Sequence, residues 1–252
     1  MKKKKNAFTL IELLVVIAII ALLLSIIAPA LRVAKQRAYD VICSSNLNQI
    51  GIAMHVYAAD NNDVIPSGDI HEIHETWMTR FAPYLGGQSD SLEDYWEIKA
   101  YNCPAYPTTE EGRQTIHFVV NSWDGTPRDE GHIYLNRLRS GGTRIYMADY
   151  AYSRWAEDPA GSGLWRDTGE QLGHIQIVTP EDIQTLSTDN LFRKLRWFDV
   201  WRPGHLPATG NEGDRRVARG RHKKTGANNL FFDGSVEWLT SEDNHTRRWQ
   251  IE

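Results

Sequence analysis

The sequence predicts an α+β protein: a long N-terminal α-helix packed on a C-terminal globular head with an antiparallel β-sheet. Three observations carry this expectation. A nearly unbroken aliphatic run, Phe8 to Leu31, follows four lysines, Lys2 to Lys5. The run passes without a breaker into a one-sided stripe of Tyr39, Cys43, Leu47, Ile50, Met54 and Tyr57, at spacings of four, four, three, four and three. Near the other end, Asn228–Phe232 and Ser235–Leu239 are β-prone runs flanking Asp233-Gly234, the strongest short hairpin signal in the chain.

From Leu13 to Leu31 only Ser25 and Pro29 are not aliphatic. At roughly 1.5 Å per residue, such a helix spans a hydrocarbon core of about 30 Å. The lysines hold its start on the cytoplasmic side, which places the head outside the cytoplasm. A secretory signal accounts for this segment only in part, because Ala28-Pro29-Ala30 is a loose cleavage site and Glu12 is foreign to an apolar core. A plain signal anchor also leaves Glu12 unexplained, since an unpaired acid in lipid costs about 2.5–3.5 kcal/mol.

Ala7-Phe8-Thr9-Leu10-Ile11-Glu12-Leu13-Leu14 closely resembles the N-terminal motif of type IV prepilins and type II secretion pseudopilins. The resemblance implies cleavage between Ala7 and Phe8 by a prepilin peptidase, N-methylation of Phe8, and a role for Glu12 in assembly. There the family's glutamate pairs with the terminal amine of a neighbouring subunit, which neutralises the buried acid. The residue before the cut is usually Gly in that family and is Ala7 here. Pro29 occupies a position where many pilins carry a helix-kinking proline. The expected organisation is a leader peptide at 1–7, a transmembrane and filament-core helix at 8–31, an amphipathic helix at 32–59 and the head with loop insertions at 60–252.

The whole chain has 252 residues and a formal charge of −4. Without Lys2–Lys5, 24 basic residues face 32 acidic ones, a net charge near −8. That acidity argues against nucleic-acid binding, which needs a basic patch. Asp60-Asn61-Asn62-Asp63 reads as the helix terminus. His74–Leu85 reads as a helix stopped by Gly86-Gly87, and 116–120 and 143–148 as short strands. Residues 151–172 and 199–220 read as long loops, 174–178 as a strand and 191–201 as a short helix.

Cys43 and Cys103 are the two cysteines. Cys43 lies on the stripe that faces the head and Cys103 lies in a turn-forming Cys-Pro, so a disulfide pinning helix to head is expected outside the cytoplasm. Two buried free thiols are the alternative, and a metal site with only two sulfurs is not expected. Cys43–Gly51, Cys103-Pro104 and His222…Gly226-Ala227-Asn228…Phe232-Asp233-Gly234-Ser235-Val236 also resemble the prepilin-type proteins with an H-X9-DG domain. Here ten residues separate His222 from Asp233.

His222 and Asp233 form a minimal acid–base or metal pair, with His132, His174, His205 and Asp149 as further candidates. The turn explains Asp233-Gly234, however, and His222 sits in a basic loop, Arg219–Lys224. No cofactor is expected; by analogy with related pseudopilins, Asp233 and Glu237 are weak calcium candidates. No Gly-x-Ser-x-Gly, phosphate loop or His-Glu-x-x-His occurs, and the chain is not expected to be an enzyme. The expected function is a structural subunit of a type IV pilus-like or type II secretion pseudopilus filament. Its partners would be the prepilin peptidase, an inner-membrane assembly platform, the membrane, and copies of itself and other pilins. The head would be periplasmic or extracytoplasmic, and the assembled filament periplasmic or at the cell surface. The alternative is a membrane-anchored glycan-binding or hydrolytic domain, in which Trp155, Trp165, Trp197 and Trp201 among the nine tryptophans offer a sugar platform.

Overall fold

The computed structural model describes residues 10–66, 76–87, 98–105, 117–122, 128–129, 132–138, 141–149, 199–200, 205–207, 217–218, 221–223 and 225–250. The chain divides into two compact units, Met1–Ala38 and Tyr39–Glu252. A single helix, α1 (Leu10–Asp60), contributes to both. Its part in the first unit is the one described segment long and apolar enough to cross a membrane. The aliphatic side chains from Leu10 to Leu31 are exposed, as a lipid-facing or subunit-facing surface requires. Pro29 lies inside α1 without ending it, although its ring removes one backbone donor.

In the second unit the helical stripe is the floor of the core. Cys43, Leu47, Ile50 and Met54 are fully buried, with Ala53, Tyr57 and Ala58 beside them. Tyr57 meets Phe81 and Tyr84 edge-on, at ring-centroid distances of 5.6 and 6.0 Å. Phe81 belongs to α2 (Trp77–Phe81), which Thr76 caps by accepting the Thr79 N–H. A short 3-10 turn, Ala82–Leu85, continues it and ends at Gly86, where φ is +87°. α1 ends in the expected polar turn, with Asn62 and Asp63 both left-handed.

Among the described residues, eight strands follow in two sheets. β1 (Val64–Pro66), β3 (Arg128–Asp129) and β4 (His132–Tyr134) form an antiparallel sheet of order β1-β4-β3. The larger sheet has the order β6-β2-β5-β7-β8, from β2 (Phe118–Asn121), β5 (Ile145–Asp149), β6 (Asp199–Val200), β7 (Gly226–Phe231) and β8 (Val236–Thr240). Every residue of β2, β5 and β7 is buried, which marks them as the central strands. Tyr146 of β5 donates its hydroxyl to the Pro66 carbonyl at 2.9 Å, linking the two sheets. Burial holds that phenol well above its usual pKa.

The C-terminus is tied down by polar side chains. Trp249, in α3 (Thr246–Trp249), is fully buried, and its indole N–H donates to Asn244 at 2.7 Å. Asn244 donates to Asn229 of β7, and Asn121 of β2 donates to the carbonyls of Ile145 and Trp249. Each of these buried amides is thereby paired, as burial demands.

Two expectations change. Asp199 and Val200, inside the stretch read as a short helix, form β6 and pair in parallel with β2 at Val120 and Asn121. Pairing with a buried strand overrides the local pattern there, and the larger sheet is therefore not wholly antiparallel. The Asp233-Gly234 turn needs one left-handed residue, not two: Gly234 has φ +86° and Asp233 is not left-handed. Gly234 N–H bonds to Phe231 and Phe231 N–H to Ser235, which makes a three-residue loop closed by a glycine bulge. The expected strand at 174–178, the loop at 151–172 and Trp155, Trp165, Trp197 and Trp201 lie outside the described residues.

Glycine lets α1 approach this hairpin. A Cβ on Gly51 would stand 2.8 Å from Leu230 Cδ1 and 3.1 Å from the Gly234 carbonyl oxygen. Helix propensity favours Gly51→Ala by about 1 kcal/mol. The contact opposes it, because a backbone carbonyl in a tight turn cannot swing away as a side chain can. Overpacking of this kind costs about 1–3 kcal/mol. Gly51→Ala is therefore expected to lower the denaturant midpoint of the full chain; a raised midpoint would show that the helix does not press on the turn.

Candidate functional site

The candidate site gathers side chains from four segments around the buried imidazole of His222. Asp40 and Cys43 lie on one face of α1, three residues apart. Cys103 follows the 3-10 turn Lys99–Tyr101, and Asp149 closes β5. His222 precedes β7 and is bridged through its backbone to Gly226 in both directions.

Cys43 and Cys103 are joined in a disulfide, with a Cα–Cα distance of 5.0 Å and a sequence separation of 60. The expected bridge between helix and head is present. Asn46, one turn along α1, donates to the carbonyls of Lys99 at 3.1 Å and Asn102 at 2.6 Å, holding the loop that presents Cys103. Cys103 N–H donates to His117 Nδ1 at 2.7 Å.

His222 is fully buried and has a carboxylate on each ring nitrogen. Nδ1 is 2.7 Å from Asp40 Oδ1, and Nε2 is 3.3 Å from Asp149 Oδ2. Nε2 also lies 3.6 Å from Cys103 Sγ. Burial alone pushes the imidazole pKa down, but the Asp149 charge and the hydrogen bonds to Asp149 and Asp40 outweigh it. The net shift is upward from 6.5, despite the nearby Arg221. Asp149 is fully buried; its Oδ2 accepts the Asn228 N–H at 2.7 Å, while its Oδ1 has no hydrogen-bond partner among the described residues.

The sequence pairing of His222 with Asp233 is not what the fold builds. Asp233 sits exposed in the hairpin loop, where Oδ1 accepts the backbone N–H and hydroxyl of Ser235. Glu237 is exposed on β8, opposite Asn229. Of the described residues in the loop read as basic, Arg221 and His222 are buried, and Lys223 is exposed, 4.7 Å over the Trp238 ring. Of the other candidates, Asp149 joins the site, His132 belongs to β4 of the smaller sheet, and His205 is buried, its carbonyl accepting the Val217 N–H. His174 lies outside the described residues. Asp40 was missed because it lies off the apolar stripe; its place three residues before Cys43 was the available signal. Asp40 also lines an open groove of about 650 Å³ with Ser44, Asn48, Lys223, Asn228 and Trp238. Ala7 and Phe8 lie outside the described residues, and Glu12 is in the first turn of α1.

The buried His222 imidazole, with a carboxylate on each ring nitrogen, ties α1, β5 and the β7 entry together. Removing one member of such a pair costs about 3–5 kcal/mol, because the remaining charge stays buried. His222→Ala is expected to destabilise the full chain by that amount at about pH 6. Since the folded pKa is raised, the imidazolium contribution is whole below 6.5 and is lost as pH rises through the folded value. The stability gap between wild type and His222→Ala should therefore narrow towards pH 9; chemical denaturation across that range measures it, and a constant gap contradicts a charged His222.

Comparison with known proteins places this architecture. The prokaryotic N-terminal methylation motif matches residues 2–28. The family described as "Protein of unknown function (DUF1559)" matches residues 34–163, half of the chain. The "Type IV wide pilus major component PilA4" of Thermus thermophilus is 43% identical over 60 residues, covering 24% of this chain and 46% of that one. The chain thus spans about half the length of this curated relative. No solved structure matches. With a methylation motif leading into α1 and a head that carries the family match, the chain is a prepilin-type protein and belongs to the DUF1559 family.

Proposed function

We propose that the protein is a structural subunit of a type IV pilus-like or type II secretion pseudopilus filament. The observation that carries this reading is the methylation motif at residues 2–28 running directly into a helix whose first half is apolar and exposed. The relative named as a wide-pilus major component supports it. On this reading prepilin peptidase cuts between Ala7 and Phe8, and Phe8 is methylated. The inner-membrane platform then draws the subunit out of the bilayer. Glu12 pairs with the terminal amine of a neighbouring subunit, so that a carboxylate costly in lipid becomes favourable on assembly. Lys2–Lys5 keep the start of the chain cytoplasmic and put the head outside, in a compartment where the Cys43–Cys103 disulfide persists.

Glu12→Ala is expected to abolish filaments in sheared surface material seen by negative-stain microscopy, while the protein remains in the membrane fraction. Unchanged filaments would sink the reading. Mass spectrometry of the mature protein should show loss of residues 1–7 and one added methyl group on Phe8; an unprocessed N-terminus in assembled material would contradict the proposed processing.

A further inference from the structure

The cysteines of a newly made chain are thiols before they are a disulfide, and the surroundings of this pair suit a second occupant. The sulfurs of Cys43 and Cys103 and Nε2 of His222 all lie within 4.8 Å of one another, and all three residues are buried. His222 Nε2 is 3.6 Å from Cys103 Sγ and 3.3 Å from Asp149 Oδ2. A tetrahedral zinc ion, with bonds of about 2.3 Å to sulfur and about 2.0 Å to nitrogen, sets S···N edges of roughly 3.6 Å. Asp40 occupies Nδ1 of His222, so Nε2 is the nitrogen turned towards the sulfurs. A carboxylate behind the imidazole is the usual means of orienting a zinc-bound histidine.

We propose that, when the Cys43–Cys103 bond is not formed, Cys43, Cys103 and His222 bind a zinc ion, with Asp40 positioning His222. The disulfide and the metal are alternative occupants of one site. Opening the bond takes two electrons from a dithiol, which leaves as its own disulfide while two thiols form here. Zinc then replaces the two thiol protons and any proton on Nε2, all released to solvent. Either occupant ties α1 to the loop of Cys103, so the metal holds the helix on the head until oxidation closes the bond. The inference is independent of the filament reading, and its test needs no filaments.

The test uses the full chain in detergent, stripped of metal, reduced with a phosphine under anaerobic conditions and shown by thiol titration to carry two free thiols. Cobalt(II), a spectroscopic substitute for zinc, is expected to bind at one equivalent with thiolate-to-cobalt charge transfer and tetrahedral visible bands. Zinc should displace it, and the oxidised chain should show neither feature. Cys43→Ser should remove most of the charge transfer. His222→Gln, close in shape to the native residue, should weaken binding at least tenfold. Asp40→Asn should weaken it by about 10–100-fold, as loss of an outer carboxylate does. Circular dichroism reports folding in every case. Absence of charge transfer in the reduced chain overturns the proposal, whether the chain is folded or has unfolded and is not restored by zinc. Unchanged affinity in His222→Gln overturns the assignment equally.

Discussion

Between Asp40 and Asn46, α1 makes directional links that set how the rest of the second unit is arranged. Asp40 bonds to His222, Cys43 to Cys103, and Asn46 to two carbonyls of the loop before Cys103. The apolar stripe of Leu47, Ile50, Met54 and Tyr57 is buried against the head, but hydrophobic contact is non-directional and tolerates sliding. The disulfide and hydrogen bonds remove that freedom. The His222 cluster imposes the strictest condition, because buried polar and charged groups without their partners are costly and the arrangement succeeds only when complete. Asp149 is in turn positioned by the Asn228 N–H, so the helix attachment depends on the pairing of β5 with β7.

This attachment suits the proposed role. A subunit drawn from a membrane by its helix passes the pulling force to its head through whatever joins the two. In this chain the Cys43–Cys103 bond is covalent, and the His222 and Asn46 contacts lie within one and a half turns of it. Gly51 and Gly234 let the helix and the hairpin turn meet closely, so the same helix face also braces β7 and β8. The exposed aliphatic half of α1 is the natural partner of lipid or of other helices, and it is chemically separate from the head's own core.

Much of this was legible in the residue pattern. The membrane-length run, the stripe and the polar terminus at Asp60–Asp63 are local signals that the helix expresses directly. The disulfide was legible because Cys43 sits on the buried stripe and Cys103 is the other cysteine. The hairpin was legible in place but not in geometry: one left-handed glycine and a bulge replace the two-residue turn. The partners of His222 were not legible. Asp233, near in sequence, drew attention, whereas Asp40 is 182 positions away and Asp149 lies on another strand. Asp199–Val200 became a strand because β2 offered an edge to pair with, which a local window does not record.

The sequence by itself determined the helix, its two environments, the motif at its start and the covalent tie to the head. Those properties follow from composition, period and charge within short stretches, or from there being two cysteines. Only the tertiary structure decided that His222 is buried between two carboxylates, that Asp233 merely closes a turn, and that Asp149 belongs with Asp40 around His222. These depend on chain segments meeting across the fold, where burial makes the energy of each charge a property of its neighbours.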